Sequence, residues 1–406
     1  MAPVGATAHG GGAAAMRAWD RRARWTAHAT LRWKVRMAGE SATLPLRAAR
    51  ESLRAVRAFG DGVQAAHGIS RGQQWWQLWR LYVRYGLQAP SYYRFQLFRP
   101  ERAARAAQYV DGTQYERVLR WHLARLPRAG RRAFVDKRDF EAWCAEHGFP
   151  AARTLVTLAP GGASTSAAPV PAALPPADLF SKPADLAGGR GAARWRSLGP
   201  DRYVGADGVE RTAAELLAEL GRQADELARP VLVQECLRNH PDLAALTAGG
   251  LCTMRMVTIR PLDAEPELVL AIYRMPVGDA AADNFDQGGL AAAVDVATGR
   301  LGVAMRKDAT QLAAPVERHP TTGAPIAGHP IPCWEAAVAL VRRAHRAAAA
   351  NVPIAGWDLA ITDRGPVLVE ANNVPGINLM QMPLDTPLGE TPLIACLVEH
   401  LAATHQ

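Results

Sequence analysis

Residues 356–372 read GWDLAITDRGPVLVEAN, and this stretch predicts a β-hairpin. Two mainly apolar runs flank the turn-forming residues Asp363-Arg364-Gly365. If the turn is centred on its middle residue, Asp358 and Glu370 are equally far from it and face each other across the two strands. Because side chains alternate between the faces of a strand, Asn372 shares the face of Glu370. Three oxygen-bearing side chains are therefore expected to converge.

Two carboxylates that face each other across a hairpin repel each other, so a cation is the natural compensation. Carboxylate and amide oxygens suit Mg²⁺, which often bridges the phosphates of a nucleotide. The sequence therefore predicts a magnesium site at Asp358, Glu370 and Asn372. The same repulsion predicts that neutralising either carboxylate leaves thermal stability equal or higher. A polar strand end that faces solvent is the alternative explanation.

A second pattern predicts a phosphate-binding loop. Phe180-Ser181-Lys182-Pro183 ends a predicted strand, and Gly188-Gly189-Arg190-Gly191 follows it. Backbone N–H groups of such a loop approach phosphate oxygens closely, and a lysine neutralises their charge. The lysine is informative because the 47 basic residues include few lysines, namely Lys34, Lys137, Lys182 and Lys307. The spacing is not that of the GxxxxGK[ST] phosphate loop, so an ordinary loop stays open as an alternative.

Two predicted strands, Cys252–Ile259 and Leu268–Met275, each carry an arginine. Arg255 and Arg274 are equally distant from the middle of the connecting segment, so a symmetric hairpin sets their guanidinium groups side by side. That arrangement favours a phosphate or carboxylate between them. The polar loop that contains Asp283-Asn284 is expected to complete a substrate pocket. Two independent, exposed arginines are the alternative.

The order of elements predicts an α+β protein with mostly antiparallel sheets. Short apolar runs alternate with turn signals after residue 178, and helical patterns at Ala213–Leu227 and Cys333–Ala350 interrupt them. Residues 159–178 are rich in Pro, Gly, Ser and Ala, which is typical of a long loop. The predicted regions are a basic, Trp-rich helical region (1–110), a subdomain with the Pro/Gly/Ser-rich loop (111–178), a small lobe with the glycine loop (179–233) and a large lobe with the metal site (234–406).

The positive charge is concentrated at the amino terminus. Residues 1–132 hold 24 lysines and arginines against 7 acidic residues, and seven of the eleven tryptophans. This mixture favours an anionic membrane surface or a polyanion as partner, and it favours nucleic acid less. The alternative is a helical subdomain with tryptophans in its core and arginines in solvent.

The compartment is predicted from cysteine usage and from the chain start. Five widely spaced cysteines fit neither a disulfide framework nor a Cys-based metal site. The first residues lack the apolar segment of a secretory signal. We expect a cytoplasmic protein, with peripheral binding to the inner membrane face through the basic region.

Taken together, the motifs resemble the ATP-grasp superfamily, and most closely its sugar-transfer-associated branch, which is related to α-L-glutamate ligases. The resemblance covers roughly residues 130–395, while the first hundred residues match the usual N-terminal unit of the superfamily poorly. The motifs that carry it are Asp136-Lys137, Phe180-Ser181-Lys182-Pro183 with its glycine loop, Val231-Leu232-Val233-Gln234-Glu235, Asn239-His240-Pro241, Thr253-Met254-Arg255, Asp283-Asn284 with Gly288-Gly289, and Asp358 with Glu370-Ala371-Asn372.

The resemblance implies an ATP-grasp fold of two α+β lobes that hold ATP and Mg²⁺ between them. Residues implied at the phosphates are Lys137, Lys182, Gly188, Gly189 and Gly191. Gln234 and Glu235 are implied at the adenine. The implied metal ligands are again Asp358, Glu370 and Asn372. The implied catalytic residues are Arg255 and Arg274, which would stabilise the transferred phosphoryl group, with Asn284 in the substrate pocket.

The function implied is ATP-dependent joining of a carboxylate to an amine through an acyl phosphate. The expected substrates are small or sugar-linked, in surface polysaccharide or natural-product assembly. Two alternatives stay open: an ATP-dependent phosphotransferase on the same fold, and a catalytically silent ATP-grasp binding protein. Intact Asp358, Glu370 and Asn372 argue against the silent protein.

Overall fold

Two antiparallel sheets form the carboxy-terminal two thirds of the chain in the computed structural model. The structure describes residues 11–26, 43–127, 132–134, 137–162, 174–184, 191–278, 283, 285–307, 312–348 and 351–405. The smaller sheet has six strands in the order β1-β6-β2-β3-β4-β5, and the larger has seven in the order β11-β10-β9-β8-β7-β12-β13.

The smaller sheet packs against one long helix, α8 (Ala213–Leu227). A capping box starts this helix: the Thr212 hydroxyl accepts from the Glu215 backbone N–H, and the Glu215 carboxylate accepts from that of Thr212. Val231 and Val233, on the strand that follows this helix in the chain, are fully buried beneath it. The strands are β1 (Thr154–Leu158), β2 (Leu179–Pro183), β3 (Ala193–Gly199), β4 (Arg202–Val204), β5 (Glu210–Thr212) and β6 (Val231–Glu235).

The larger sheet is covered on both faces, and its strand β12 is buried along its whole length. On one face, Met256 and Trp357 pack against α7 (Lys137–Glu146) and α9 (Trp334–Ala347). Trp357 donates from Nε1 to the Thr258 hydroxyl at 2.9 Å, so its one polar atom is satisfied. The strands are β7 (Thr253–Ile259), β8 (Glu267–Met275), β9 (Leu290–Val294), β10 (Leu301–Lys307), β11 (Ala313–Val316), β12 (Ile354–Thr362) and β13 (Gly365–Asn372).

Helices from the amino-terminal region cover part of the other face of the larger sheet. Val257 and Leu270 on this face share a core with Tyr115, Val118 and the carboxy-terminal helix. Each such apolar side chain contributes about 1.5–3 kcal/mol when fully buried. The helices of the amino-terminal region are α1 (Gly12–Thr26), α2 (Leu44–His67), α3 (Arg71–Tyr85), α4 (Ala89–Arg94), α5 (Pro100–Ala104) and α6 (Gly112–Leu123). The last two helices of the chain are α10 (Asn378–Gln381) and α11 (Pro392–Thr404).

The helices α2 and α3 form an antiparallel pair with a core of their own. Gly68 ends α2 in the left-handed conformation, with φ of 69°, and Ser70 begins α3 with a capping box. Gln96 joins this part to the larger sheet, because its Nε2 donates to the Ala313 carbonyl at 2.8 Å. None of the helices in the described ranges has the length and apolar content to cross a membrane.

The predicted α+β class, the antiparallel sheets and the helical amino-terminal region are confirmed. Strand β1 and helix α8 have the predicted ends. The sequence missed the meander β3–β5, because these strands are short, rich in arginine and exposed on one face, so they have no apolar run. The four predicted region boundaries stay a prediction.

Candidate active site

Strands β7, β12 and β13, at one end of the larger sheet, bring three predicted site residues into one row. Asp358 on β12 lies opposite Glu370 on β13 and opposite Arg255 on β7. Gly356 and Asn372 form the next pair of the hairpin on the same face. The predicted hairpin and the pairing of Asp358 with Glu370 are therefore confirmed. The turn, however, is centred between Asp363 and Arg364 rather than on Arg364, and a bulge between Asp358 and Leu359 brings the two carboxylates opposite each other.

Gly356 cannot carry a side chain in this row. A Cβ at this position would lie 2.6 Å from Cβ of Pro375 and 3.5 Å from Cδ of Arg255. Glycine is therefore required for the close approach of Pro375, in the segment after β13, to strand β12.

Asp358 is buried and ion-paired with two arginines. Its carboxylate accepts from Nε of Arg255, and its Oδ2 lies 3.1 Å from Nη2 of both Arg255 and Arg274. Burial alone raises the pKa of Asp358, but the two guanidinium groups outweigh it and hold this pKa well below its usual range. The two arginines thus already offset the repulsion between Asp358 and Glu370. The repulsion therefore no longer supports the expectation that neutralising Asp358 leaves thermal stability equal or higher.

The two arginines meet on Asp358 rather than directly opposite each other. Arg274 lies opposite Thr253, and Arg255 lies opposite Ile272. The predicted symmetric pairing is wrong because the connecting turn is off-centre and a bulge between Val257 and Thr258 shifts the register. Both side chains still lie on one face of the sheet.

Arg274 belongs to a second, buried contact chain that the sequence did not predict. Its Nε donates to the Thr253 hydroxyl at 3.0 Å, and that hydroxyl donates to Oδ2 of Asp283 at 2.5 Å. Burial raises the pKa of Asp283, and Arg274 and Thr253 act against it. The pKa of Arg274 is raised, because Asp358 and Asp283 outweigh the effect of its burial. Because side chains alternate between the faces of a strand, the sequence Thr253-Met254-Arg255 could have placed Thr253 on the face of Arg255.

The donor set at the hairpin fits a hard cation. Glu370 and Asn372 lie on the face of Asp358, so two carboxylates and one amide oxygen, the ligand types that Mg²⁺ takes, share this face of the hairpin. Within those ranges no three His, Cys, Asp or Glu side chains cluster as a metal site, so an amide has to complete the set. A cation at Asp358 would have to share the carboxylate with the two arginines.

Three of the predicted nucleotide residues, Lys182, Gln234 and Glu235, lie on strands of the smaller sheet. Lys182 on β2 is half-buried and pairs with Leu232 on β6, and its neighbour Phe180 pairs with Gln234. Lys137 begins α7, but its side chain is outside the described residues. Gly191 has a φ of 73° and lies close to Pro183 at the end of β2. Three further predicted residues also lie outside the described residues: Gly188, Gly189 and Asn284.

Gln234 and Glu235 lie where the chain leaves the smaller sheet for the larger one. Gln234 donates from Nε2 to the Thr154 hydroxyl at 3.0 Å. Glu235 accepts from Arg364 in the turn of the β12–β13 hairpin at 3.2 Å, so it links the two sheets. Asn239, a few residues on, accepts from the backbone N–H of Cys252 at 2.9 Å and positions the start of β7.

A cleft of about 260 Å³ opens beside the arginines. Its lining combines charged and apolar side chains and draws on four parts of the chain: strands β7 and β8, the turn before β9, the segment after β13 and the amino-terminal helix α4. The lining includes Arg94, Arg255, Ile272, Arg274, Phe285 and Met380. The sequence did not predict Arg94, because nothing in the pattern of residues links position 94 to β7 and β8.

Several solved structures resemble this chain weakly. A D-alanyl-alanine synthetase A from Vibrio cholerae O1 biovar eltor is 12% identical, with 71% of this chain and 72% of that chain covered and a TM-score of 0.39. An ATP complex of D-alanine–D-alanine ligase from Bacillus anthracis is 12% identical, covering 66% and 67%, with a TM-score of 0.35. An L-amino acid ligase from Bacillus licheniformis is 13% identical, covering 74% and 61%, with a TM-score of 0.36. TM-scores this low support no conclusion about the reaction.

No curated protein matches the chain significantly. The family model described as sugar-transfer associated ATP-grasp matches residues 120–391, which include both sheets and the row of Asp358, Glu370 and Arg255. The chain therefore belongs to the sugar-transfer associated ATP-grasp family.

Proposed function

We propose that this protein is an ATP-dependent carboxylate–amine ligase that proceeds through an acyl phosphate and releases ADP. The observation that carries the proposal is the cluster of the buried Asp358 with the partly buried Arg255 and Arg274 beside a cleft, in a chain of the ATP-grasp family. The substrates are small or sugar-linked, as the family description suggests. A role in surface polysaccharide or natural-product assembly belongs to the same proposal.

The arginines have the charge that phosphoryl transfer requires. Negative charge spreads over the transferred group in the transition state, and preorganised guanidinium groups stabilise it there. Arg255 and Arg274 are held on neighbouring strands by Asp358, so they need little reorganisation when the reaction occurs. Lys182 and Lys137, with Gly188, Gly189 and Gly191, are proposed to contact the phosphates of ATP, and Gln234 and Glu235 the adenine.

Asp358, Glu370 and Asn372 are proposed to hold Mg²⁺. The ion would offset charge on the terminal phosphates of ATP when bound. Asn284 is proposed to contact the substrate from the loop after Asp283. The acyl phosphate would then be attacked by the amine, with release of phosphate.

The proposal predicts a trappable acyl phosphate. We expect that the protein, given ATP, Mg²⁺, hydroxylamine and a panel of small and sugar-linked acids, forms a hydroxamate with one of them. ADP and hydroxamate should appear in equal amounts, because each activation consumes one terminal phosphoryl group. Ferric complex formation measures the hydroxamate, and chromatography separates ADP from AMP.

Reactions without any acid, and without ATP, are the controls for this assay. AMP as the nucleotide product would indicate adenylation and would contradict the acyl phosphate. Phosphorylation of a hydroxyl acceptor without phosphate release would favour the phosphotransferase instead. ATP binding without consumption across the whole panel would favour the silent binding protein.

An exposed face of the α2–α3 pair favours a second property, binding to an anionic membrane surface. Leu46 is 70% exposed and Trp76 is 50% exposed. One face of α2 carries alternating leucines and arginines at the spacing of a helix face, namely Leu46, Arg50, Leu53 and Arg57. An apolar hollow beside Leu53 is rimmed by arginines of both helices. Exposed tryptophan and leucine among arginines match the interface of an anionic bilayer.

This membrane proposal predicts salt-sensitive flotation of the full chain with phosphatidylserine-containing vesicles. Arg50→Glu combined with Arg57→Glu should lower partitioning about thirtyfold or more, since each basic side chain near the surface contributes about 1 kcal/mol. Arg196→Glu combined with Arg222→Glu is the matched control, because both are exposed and lie on the smaller sheet and its helix.

Trp76→Ala separates a membrane from a soluble polyanion in this experiment. It should weaken vesicle binding, because the ring anchors at the bilayer interface, and leave binding to polyphosphate unchanged. Absence of flotation at low ionic strength would contradict the proposal. If the control variant with Arg196→Glu and Arg222→Glu lost as much vesicle binding, net charge alone would explain the binding.

A further inference from the structure

We propose that Arg94 of the amino-terminal region binds an anionic group of the substrate, a carboxylate or a phosphate, in the cleft beside Arg255 and Arg274. The residue lies at the end of α4, outside the stretch that matches the family model. The proposal rests on the proposed function for the reaction that takes place there. The binding of an anion at Arg94 can be tested without that reaction.

Arg94 is the arginine of the cleft whose charge is not already compensated. Its guanidinium is half-buried and has no hydrogen-bond or ion-pair partner among the described residues. Arg255 and Arg274 are instead bound to Asp358. The acidic side chain of the lining, Asp286, is ion-paired with Lys307. A fork of N–H donors in this setting suits a bidentate anion.

The backbone beside Arg94 is firmly held. Tyr92, Tyr93 and Phe95 are all buried, and the Tyr93 hydroxyl donates to Gln74 at 3.1 Å. Gln96 has a φ of 52°, which is unfavourable for a residue other than glycine. Its side chain fixes this conformation by donating to the Ala313 carbonyl on β11 at 2.8 Å. The larger sheet and α4 are thus joined next to the arginine, which is what a positioned binding residue requires.

The rest of the lining describes the kind of molecule that would bear the anion. Ile272, Phe285 and Met380 provide an apolar wall next to the arginines. Methionine adapts to irregular shapes, so the wall tolerates a bulky group. We infer a ligand with an anionic end at Arg94 and an apolar portion along the wall, with its reacting group towards Arg274.

Protection from phenylglyoxal tests anion binding in the full-length protein. Arg94 should be modified faster than Arg274, because the guanidinium of Arg274 is ion-paired with Asp358 and hydrogen-bonded to Thr253. Acetate alone or inorganic phosphate alone should slow the modification of Arg94, compared with chloride at equal ionic strength, as measured by peptide mass spectrometry. Arg84 on α3 is exposed and serves as the internal control.

The two anions distinguish a carboxylate site from a phosphate site. Protection by acetate only indicates a carboxylate, protection by phosphate only indicates a phosphate, and protection by both supports the shared chemistry. If Arg94 reacts at the same rate in either anion as in chloride, the proposal is overturned. Protection of Arg94 in a protein that never forms a hydroxamate would support this site while contradicting the ligase.

Variants give a second, independent readout. In the hydroxamate assay, Arg94→Ala should raise the KM for the acid about tenfold, the effect of one lost charge-assisted hydrogen bond, and leave the Kd for ATP unchanged. Arg94→Lys should recover part of the loss, because it restores the charge without the fork. A lower kcat with an unchanged KM in both variants would indicate a structural role and contradict substrate binding.

Discussion

Asp358→Asn is expected to lower the free energy of unfolding by about 3 kcal/mol and to reduce turnover at least about a hundredfold. Removing the buried carboxylate leaves the partly buried Arg255 and Arg274 without this compensating charge. It also removes a proposed metal ligand. Chemical denaturation measures the stability, and the hydroxamate assay measures turnover.

Glu370→Gln is the matched control, because Glu370 lies directly opposite Asp358 and forms no such guanidinium contact in the described structure. It should lose activity with little change in stability. Equal stability in Asp358→Asn and wild type would contradict the role of the ion pairs. That result would instead favour the explanation expected from the sequence, in which Asp358 and Glu370 repel each other.

The pH dependence of stability follows from the direction of the Asp358 pKa. Its pKa in the folded protein lies below its unfolded value, so the ionised form stabilises the fold. This stabilisation is complete above the unfolded pKa of about 4 and is lost progressively as the pH falls below it. Acid unfolding should therefore be less steep in Asp358→Asn than in wild type.

Arg274→Ala is expected to reduce hydroxamate formation by about a hundredfold to a thousandfold, the usual effect of removing one transition-state donor. The Kd for ATP should change much less, because the contact is proposed to form mainly in the transition state. Calorimetry with ATP and single-turnover hydroxamate formation measure the two quantities.

Arg306→Ala controls for the loss of a partly buried arginine in the same sheet. Arg306 donates to the Gly288 carbonyl at 3.0 Å and contacts no carboxylate of the cluster. It should retain most of the activity. If Arg274→Ala weakens ATP binding as much as it slows hydroxamate formation, the residue contributes to ground-state binding instead.

The pairing of Asp358 with Glu370 was predictable from the position of the turn and from strand alternation, which are local features of the sequence, although a bulge in the hairpin contributes to it. The arginine partners of Asp358 were not predictable. They depend on the pairing of β12 with β7, which are distant in the sequence, and on the register between β7 and β8, which an off-centre turn and a bulge determine. The sequence predicted a metal ion as the compensating cation, whereas the structure shows Arg255 and Arg274 paired with Asp358, and the metal site stays a prediction.

Long-range packing explains the other omissions. Arg94 reaches the cleft because buried aromatic residues and Gln96 attach α4 to the larger sheet, and no periodic pattern encodes such a contact. Asp283 was recognised as part of a polar loop, but its hydrogen bonds to Thr253 depend on how that loop folds back on β7. Sequence patterns predicted the elements better than the contacts between them.

The amino-terminal helices pack on the larger sheet, so the segment that matches the family model is shorter than the part of the chain that shares this hydrophobic core. The family match begins at residue 120, yet Met16, Val110 and Tyr115 help to cover Val257 on the strand that carries Arg255. A fragment cut at the family boundary would expose this apolar face to water. The region outside the family match is thus part of the same hydrophobic core, and we expect substitutions in it to affect the strand that carries Arg255.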